Sequence, residues 1–349
     1  MGISIHYEIM TDPDYKKITA CIGNNPKQQR WRDYQEWGAE LLQFHASDSH
    51  LYVGAFYEKE LIGCMIAHLD QLRIRKKLLI GAVIAITEVK MGYLNQGIAT
   101  KMLEKMLAQL STLGFDLVLA FQTAGRGGKN LLQRAGFRKI HKYGHAGKVL
   151  DKPTMESLMD LNIVLKKIAM KLVNSDIGET RPVRGIIRQV KTEDLDQIVD
   201  LLNTESDRLD ISSHWTKDYL QRKMDWRYKI FVLADEGIRG SAICYEEVST
   251  LGKDYFTAGL FKELVFQEGV EDSEKETFIY HILSWFKRRG IPVVTYPAPK
   301  PIIKLLEKTG FRVLPGEERT VFIKPLSQNT QEILNAIEKF RLVNVFLIC

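Results

Sequence analysis

The sequence predicts an α/β protein made of two tandem copies of one α+β domain, each a mixed, mostly antiparallel sheet flanked by helices. Three observations lead there. The chain has 349 residues, more than one domain of about 150 residues holds. It is 45% hydrophobic and 26% charged, enough for two apolar cores; that excludes a disordered chain, a collagen-like repeat and a disulfide-stapled miniprotein. It also repeats itself. Leu131-Leu132-Gln133-Arg134-Ala135-Gly136-Phe137-Arg138 returns in pattern as Leu305-Leu306-Glu307-Lys308-Thr309-Gly310-Phe311-Arg312, with 174 residues from Phe137 to Phe311. Ile9 to Asp14 is echoed by Val190 to Leu195, 181 residues on. Two nearly equal offsets of almost half the chain point to duplication. The division read from this is 1–150 for the first domain, 151–184 for a linker helix and linker, 185–326 for the second domain, and 327–349 for a C-terminal helix and apolar tail.

The elements follow in order. Ile3–Ile9 reads as a strand leading into helical stretches, among them Trp31–Phe44. Strand-like runs at His50–Tyr57, Leu61–His68 and Leu78–Val89 are separated by charged turns. After the loop Lys90–Gln96 comes a helix from Gly97 to about Leu113, with Ile98, Met102, Leu103, Met106, Leu107 and Leu110 on one face. Gly114 stops it. Phe115–Phe121 is a buried-looking strand, Lys129–Arg134 a short helix and Arg138–Tyr143 another strand. Thr154–Val173 reads as an amphipathic helix and Asn174–Pro182 as an exposed linker. The second copy runs through a helix near Glu193–Asn203, strands Ile230–Ala234, Gly240–Glu246 and Phe256–Phe266, and a helix Glu274–Arg289. It closes with a strand Pro292–Tyr296, a helix Pro301–Lys308 and strands near Arg312–Leu314 and Thr320–Lys324. Ile333, Leu334, Ile337 and Phe340 form one helical face, which suits packing on its own chain or a homodimer contact.

Charge and cysteine usage narrow the class. The net charge of +6 tolerates anionic ligands without implying a nucleic-acid footprint. Cys21, Cys64, Cys244 and Cys349 form no CxxC pair and read as thiols of a reducing compartment. No N-terminal signal is visible, and the longest apolar runs, Leu78–Ile86 and Val345–Cys349, are too short to span a bilayer. A cytoplasmic protein without membrane or nucleic-acid partners is expected. The eight histidines show no metal-ligand spacing, so no metal is expected. Gly125-Arg126-Gly127-Gly128-Lys129 fails the Walker pattern, which needs glycine at Thr123 and Ser or Thr at Asn130.

The most informative segment is Thr87-Glu88-Val89-Lys90-Met91-Gly92-Tyr93-Leu94-Asn95-Gln96-Gly97-Ile98-Ala99-Thr100. A buried strand runs into a loop that opens a helix, with small residues at 97 and 99. Small residues let an anion reach the free backbone N–H groups of the first turn, and the helix dipole favours negative charge there. A tight strand-to-helix turn uses the same glycine.

The first copy resembles the GNAT acyltransferase superfamily. That family's acetyl-CoA pyrophosphate loop, Arg/Gln-x-x-Gly-x-Gly/Ala, reads here Leu94-Asn95-Gln96-Gly97-Ile98-Ala99, with Leu94 in place of the polar residue. Its short helix ending in Gly-Phe before a strand is Leu131–Phe137, and the resemblance spans nearly all of 1–150. It implies direct attack of an amine on the thioester of acetyl-CoA, the co-substrate, with the fold chiefly positioning the reactants. A strand amide near Val89 would polarise the thioester carbonyl. Pantetheine would add like a strand between Leu78–Val89 and Phe115–Phe121. Pyrophosphate would sit on the N–H groups of Gln96, Gly97, Ile98, Ala99 and Thr100. Lys90, Lys101, Arg126 and Lys129 are the cationic candidates for the CoA phosphates; each also suits a solvated surface.

An amine must lose a proton before it attacks. Glu88, at the strand end beside the loop, is the candidate base; an outward-facing strand residue would look the same. Many members of the family use a tyrosine four residues before the Gly of Gly-Phe as acid for the departing thiolate, and that position is Leu132 here and Leu306 in the second copy. Tyr143 or Tyr93 could substitute, or the thiolate could leave unassisted. In the second copy the loop Gln267–Glu274 lacks the glycine spacing and holds four acidic residues, which repel pyrophosphate. The resemblance thus implies an N-acetyltransferase acting on a small-molecule or protein amine through its first domain. A catalytically silent CoA-binding or assembly module is the alternative, and an aminoacyl-transferase using charged tRNA a third.

Overall fold

The computed structural model of the protein describes residues 4–24, 39, 50–123, 129–158, 175–224, 228–251, 254–297, 300–313, 319–337 and 343–344. The chain divides into two units: Met1–Lys142 with Asp210–His214 and Arg319–Cys349, and Tyr143–Leu209 with Trp215–Glu318. All of the expected helix Trp31–Phe44 but residue 39, the part of Thr154–Val173 after Leu158, Phe340 and Cys349 lie outside the described residues.

In the first unit the sheet runs in the order β1 (Ile5–Ile9), β2 (His50–Tyr57), β3 (Glu60–Ile74), β4 (Lys77–Val89), β5 (Leu117–Thr123), β15 (Arg319–Pro325), β6 (Arg138–Tyr143). Two short strands, β9 (Ile211–Ser213) and β16 (Val343–Asn344), extend it beside β3. From β1 to β15 every pairing along the main path is antiparallel except β4–β5. Helix α1 (Tyr15–Gly23) starts at Asp14, whose Oδ1 accepts the N–H groups of Lys16 and Lys17 at 3.1 Å, an N-cap of the usual kind. Helix α2 (Ile98–Thr112) buries Ile98, Met102, Leu103, Met106 and Leu110, the spacing of one helical face. That face packs on Val53, Ala55, Met65, Ala67, Ala82, Ile84, Val118 and Ala120, each large aliphatic contributing about 1.5–3 kcal/mol. Helix α9 (Gln328–Asn335) completes the unit; of the helical face expected there, Leu334 and Ile337 are buried and Ile333 is half-buried.

In the second unit the order is β14 (Arg312–Val313), β7 (Ala146–Val149), β13 (Val293–Tyr296), β12 (Asp254–Phe266), β11 (Ile238–Leu251), β10 (Lys229–Ala234), β8 (Ile186–Gln189). Here too one pair, β12–β13, is parallel. Helix α7 (Asp272–Arg288) buries Phe278, Ile279, Ile282, Leu283 and Phe286 against Phe231, Leu233, Ala242, Phe261 and Leu264. Helices α4 (Lys152–Leu158), α5 (Leu195–Ser206), α6 (Lys217–Met224) and α8 (Lys300–Lys308) complete this half, while α3 (Lys129–Arg134) belongs to the first. Cys21, Cys64 and Cys244 are free and buried.

Each sheet is closed by a strand from the other half of the sequence. β15 lies between β5 and β6, and β7 between β13 and β14. The units therefore do not follow in series as 1–150 and 185–326: the strand read at Thr320–Lys324 belongs to the first sheet, and residues 146–149 belong to the second. Alternating apolar pattern identifies a strand but not its sheet, because both cores accept the same side chains.

The repeated Leu-x-x-x-Gly-Phe motif has a single structural explanation. In both copies it ends a short helix with a Schellman cap. Phe137 N–H donates to the Leu132 carbonyl and Phe311 N–H to that of Leu306, both at 3.0 Å, while Gly136 and Gly310 take the left-handed conformation at φ +82° and +88°. Leu132 and Phe137 are buried in the core of the first unit, and Leu306 and Phe311 in that of the second. A lysine of each incoming strand reaches this cap. Lys324 Nζ donates to the Ala135 carbonyl at 2.5 Å and would lie 3.0 Å from a Cβ at Gly136; a Cβ at Gly310 would collide with Lys148 Nζ. Lys148 is buried, donates to the Asp176 carbonyl at 2.9 Å, and has its pKa lowered by burial from 10.5 to about 8.

A pH dependence follows from Lys148. Between about pH 8 and 10.5 the folded chain has shed this proton while the unfolded chain still holds it, so stability rises with pH across that window. Urea unfolding of wild type and Lys148→Met at pH 7.5 and pH 10 should show wild type gaining relative to the variant at the higher pH; a pH-independent difference would contradict the burial of a charged amine there.

Candidate active site

The two parallel strands β4 and β5 pair only over Gly81–Ile84 and Leu117–Ala120. Beyond that point each continues, β4 to Val89 and β5 to Thr123, and a gap opens between them. A bulge marks the place: the β3–β4 register passes from Ala67↔Ile84 to Ile66↔Ile86 and skips Ala85, and bulges commonly end pairing and re-aim a strand in this way.

Strand alternation fixes what faces the gap. Lys90 N–H donates to the Ile62 carbonyl of β3 at 2.8 Å. The register is unbroken from Ile86 to Val89, so the amides of Glu88 and Ile86 share that direction, while those of Val89 and Thr87 turn toward β5. The amide expected near Val89 therefore points into the gap. Thr87 is a second inward donor that motif reading missed; only the register reveals it. Cross-strand partners share a face, so Glu88 stands on the face of Cys64. Contact with Cys21, burial and the negative charge of Glu88 push the Cys64 thiol well above its usual range.

The strand then runs into a turn at Met91–Tyr93 and on to α2. Met91 N–H donates to Asn24 Oδ1 at 3.0 Å and Gln96 Nε2 to the Gly92 carbonyl at 3.5 Å. Asn95 and Gly97 have φ of +63° and +76°, and a Cβ on Gly97 would meet nothing within 4 Å. Gly97 is the N-cap and has no side chain to give. The first amide with a helical partner is Lys101, bonded to the Gly97 carbonyl at 3.1 Å, so among the described residues the N–H groups of Ile98, Ala99 and Thr100 are the open first turn that an anion can bind. Gln96, Gly97 and Thr100 are exposed, Ala99 half-buried and Ile98 buried. Gly63 brings this helix end against the sheet: a Cβ there would lie 3.3 Å from Ile98 Cγ2, 3.2 Å from Met102 Cε and 3.4 Å from the Glu88 carbonyl.

The structure thus brings Glu88, Val89, Gln96, Gly97, Ile98, Ala99 and Thr100 onto one strand–turn–helix. The cations fare differently. Lys90 Nζ is held by Glu60 at 2.6 Å, and Lys101 sits at 3.4 Å from Glu104 in an exposed i,i+3 pair worth little. Arg126 and the side chains of Lys129 and Tyr143 lie outside the described residues. Tyr93 is half-buried, its ring 6.1 Å from that of Tyr57. Among the described residues no group of three or more His, Cys, Asp or Glu could hold a metal ion, and no helix is long and apolar enough to cross a membrane.

Residues 10–137 match the model of the acetyltransferase (GNAT) family. Among solved structures, Saccharomyces cerevisiae N-myristoyltransferase with bound myristoyl-CoA superposes with a TM-score of 0.69 at 11% identity, over 93% of this chain and 79% of that one. A conserved protein of unknown function from Enterococcus faecalis, a probable N-acyltransferase, gives 0.60 at 12% identity over 94% and 74%. A GCN5-related N-acetyltransferase from Anabaena variabilis gives 0.61 at 10% identity over 94% and 74%. At these identities the likeness is one of fold. No curated protein sequence matches the chain.

The seating of α2 is testable by substitution. Gly63→Val should lower stability in denaturant unfolding by about 1–3 kcal/mol, because the helix end has to shift. Gly97→Ala, with open space around it, should cost only the left-handed conformation, about 1 kcal/mol. Equal costs would show that α2 is not seated on Gly63.

Proposed function

With residues 10–137 a domain of the acetyltransferase (GNAT) family, we propose that the chain is an N-acyltransferase that moves an acetyl group from acetyl-CoA to an amine in its first unit. One observation carries this reading. The gap between β4 and β5, with two inward amides, leads directly to a glycine-capped helix start with three open amides. An extended, amide-bearing arm ending in a pyrophosphate is complementary to that sequence of donors. Pantetheine would lie along β4 with the pyrophosphate on Ile98, Ala99 and Thr100.

In this reading the thioester carbonyl accepts the Val89 N–H. The amine nitrogen attacks the carbonyl carbon while Glu88, on the adjoining face, takes the proton that the amine gives up. The tetrahedral oxyanion is held by the Val89 amide, a fixed donor worth about 2.7–4 kcal/mol in comparable sites. Collapse breaks the carbon–sulfur bond and releases the CoA thiolate, protonated by Tyr93 or Tyr143 or lost as the anion. The acceptor is a small-molecule or protein amine, and the setting is cytoplasmic. A silent CoA-binding module is the second reading, supported by the exposed Leu94 in place of the family's polar residue and by Leu132 buried in the core.

Free-thiol release from acetyl-CoA and longer acyl-CoAs, assayed with a panel of amines, tests the proposal. Wild type should release thiol with at least one amine. Glu88→Gln should lose about 10²–10⁴-fold in kcat with binding retained, and Gly97→Trp should bind no acyl-CoA. Binding without thiol release would favour the silent module; no binding by wild type would sink both readings.

A further inference from the structure

The second unit preserves the geometry of the candidate site so closely that the two can be compared position by position. Gly63 on β3 corresponds to Gly240 on β11, and Lys90 to Gln267. Lys90 N–H donates to Ile62, and Gln267 N–H donates to the Arg239 carbonyl, both at 2.8 Å. The β11–β12 register passes from Cys244↔Phe261 to Ile243↔Glu263 and skips Lys262, the counterpart of the bulge at Ala85. The parallel pairing of β12 with β13 stops at Leu260↔Thr295. By the same alternation Leu264 and Phe266 are the inward amides, as Thr87 and Val89 are in the first unit.

What fills the two gaps differs. At the place of Ile86 the second unit has Glu263, and at the place of Ala120 it has Tyr296. Leu264 N–H donates to Glu263 Oε1 at 3.3 Å, and the Tyr296 hydroxyl donates to the same oxygen at 3.4 Å. Burial and the neighbouring carboxyl push the Tyr296 hydroxyl well above the usual phenol range, which keeps it a donor. Glu263 to Phe266 are all buried, whereas Ile86 to Val89 are half-exposed. The helix starts differ in the same sense. Where α2 opens on bare Gly97, α7 opens on a capping box of Glu271 and Glu274. Glu274 accepts the Glu271 N–H at 3.4 Å and the Arg184 N–H at 2.9 Å, and Arg239 forks onto it at 2.9 and 2.7 Å. Arg239 holds its pKa at about 2, so it is an anion at any working pH.

We infer that the second unit is a self-liganded copy of the acyl-CoA fold. Its own carboxylates stand on counterparts of the first unit's donors: Glu263, braced by Tyr296, accepts the Leu264 amide, the counterpart of Thr87, and the capping box of Glu271 and Glu274 takes the N–H groups of Glu274 and Glu271, the counterparts of Thr100 and Gly97, so that each chain takes one acyl-CoA. The inference rests on the proposed function for the first unit only in what the open gap binds; the sealing of the second gap stands on its own contacts. The loop Gln267–Glu274 excludes pyrophosphate less by bare repulsion than by prior occupation, since Glu268 and Asp272 are also paired, with Arg208 at 3.1 Å and Lys308 at 2.8 Å.

Two measurements on the full chain test it. Calorimetric titration with CoA should give one site per chain, abolished by Gly97→Trp; a second equivalent that survives in Gly97→Trp would overturn the inference. Residue-resolved amide exchange should find Leu264 slow and indifferent to CoA, and at least tenfold faster in Glu263→Ala but not in Glu263→Gln. Thr87 should slow only when CoA is added. A Leu264 amide that is fast in the free protein and slowed by CoA would overturn the inference as well. The reciprocal pair Ile86→Glu with Ala120→Tyr should weaken CoA binding at least 100-fold with the thermal midpoint retained; undiminished binding by the folded variant would show that such a pair does not seal the gap. If wild type binds no CoA while Leu264 behaves as expected, the proposed function fails and the sealed gap remains.

Discussion

The candidate site depends on where one pair of parallel strands stops pairing. Up to Ile84 and Ala120, β4 and β5 satisfy each other's backbone groups; one residue later they do not, and the unused amides of Thr87 and Val89 become available to something else. No side chain on the strand could supply two donors so firmly fixed, because side chains rotate and strand amides do not. The glycine-capped start of α2, held against Gly63, continues the same row of donors. Glu88 then needs no special placement, since strand alternation already puts it on the opposite face from Val89 and one residue away.

The second unit shows how little has to change for the same backbone to lose a ligand. Bulge, register and inward amides persist, yet Glu263 accepts the Leu264 amide from within and the capping box of Glu271 and Glu274 takes the N–H groups of the helix start. A buried backbone donor has to be paired with something, so a copy without a ligand either collapses its gap or furnishes an internal acceptor. Buried carboxylates are costly unless bonded; the Tyr296 hydroxyl and the Arg239 fork offset that cost here.

Much of this was legible in the sequence, and the limits have physical reasons. The duplication, the strand His50–Tyr57, the helix face Ile98 to Leu110 and the glycine-rich helix start were readable because each is local: periodicity, turn residues and short spacings. The Gly-Phe motif was visible as a repeat, but its meaning was not, since a Schellman cap is recognised by which carbonyl an amide meets. The strand Ala146–Val149 went unread because four residues of Ala-Gly-Lys-Val carry almost no strand pattern. The exchange of strands between the halves was invisible, as pairing partners are chosen by tertiary contact. Lys148 and Lys324 look like surface lysines in sequence, yet one is buried and both reach helix caps. Glu88 and Val89 were proposed through the loop beside them, whereas Tyr143 and Arg126 were chosen by residue type, and Arg126 and the Tyr143 side chain lie outside the described residues.

The exchanged strands also govern when the protein can exist. Thr123 pairs with Arg319 and Leu117 with Pro325, so the central sheet of the first unit lacks a member until nearly the whole chain has left the ribosome. β7, made early, has likewise to wait for β13 and β14. Contacts this far apart in sequence slow folding, and until they form the edges of β5 and β6 stand unpaired and prone to misassociation. Domains made one after another could have matured in turn on the nascent chain. This chain instead commits both halves together, so the unit with the open gap reaches its working form only once its sealed counterpart has been built.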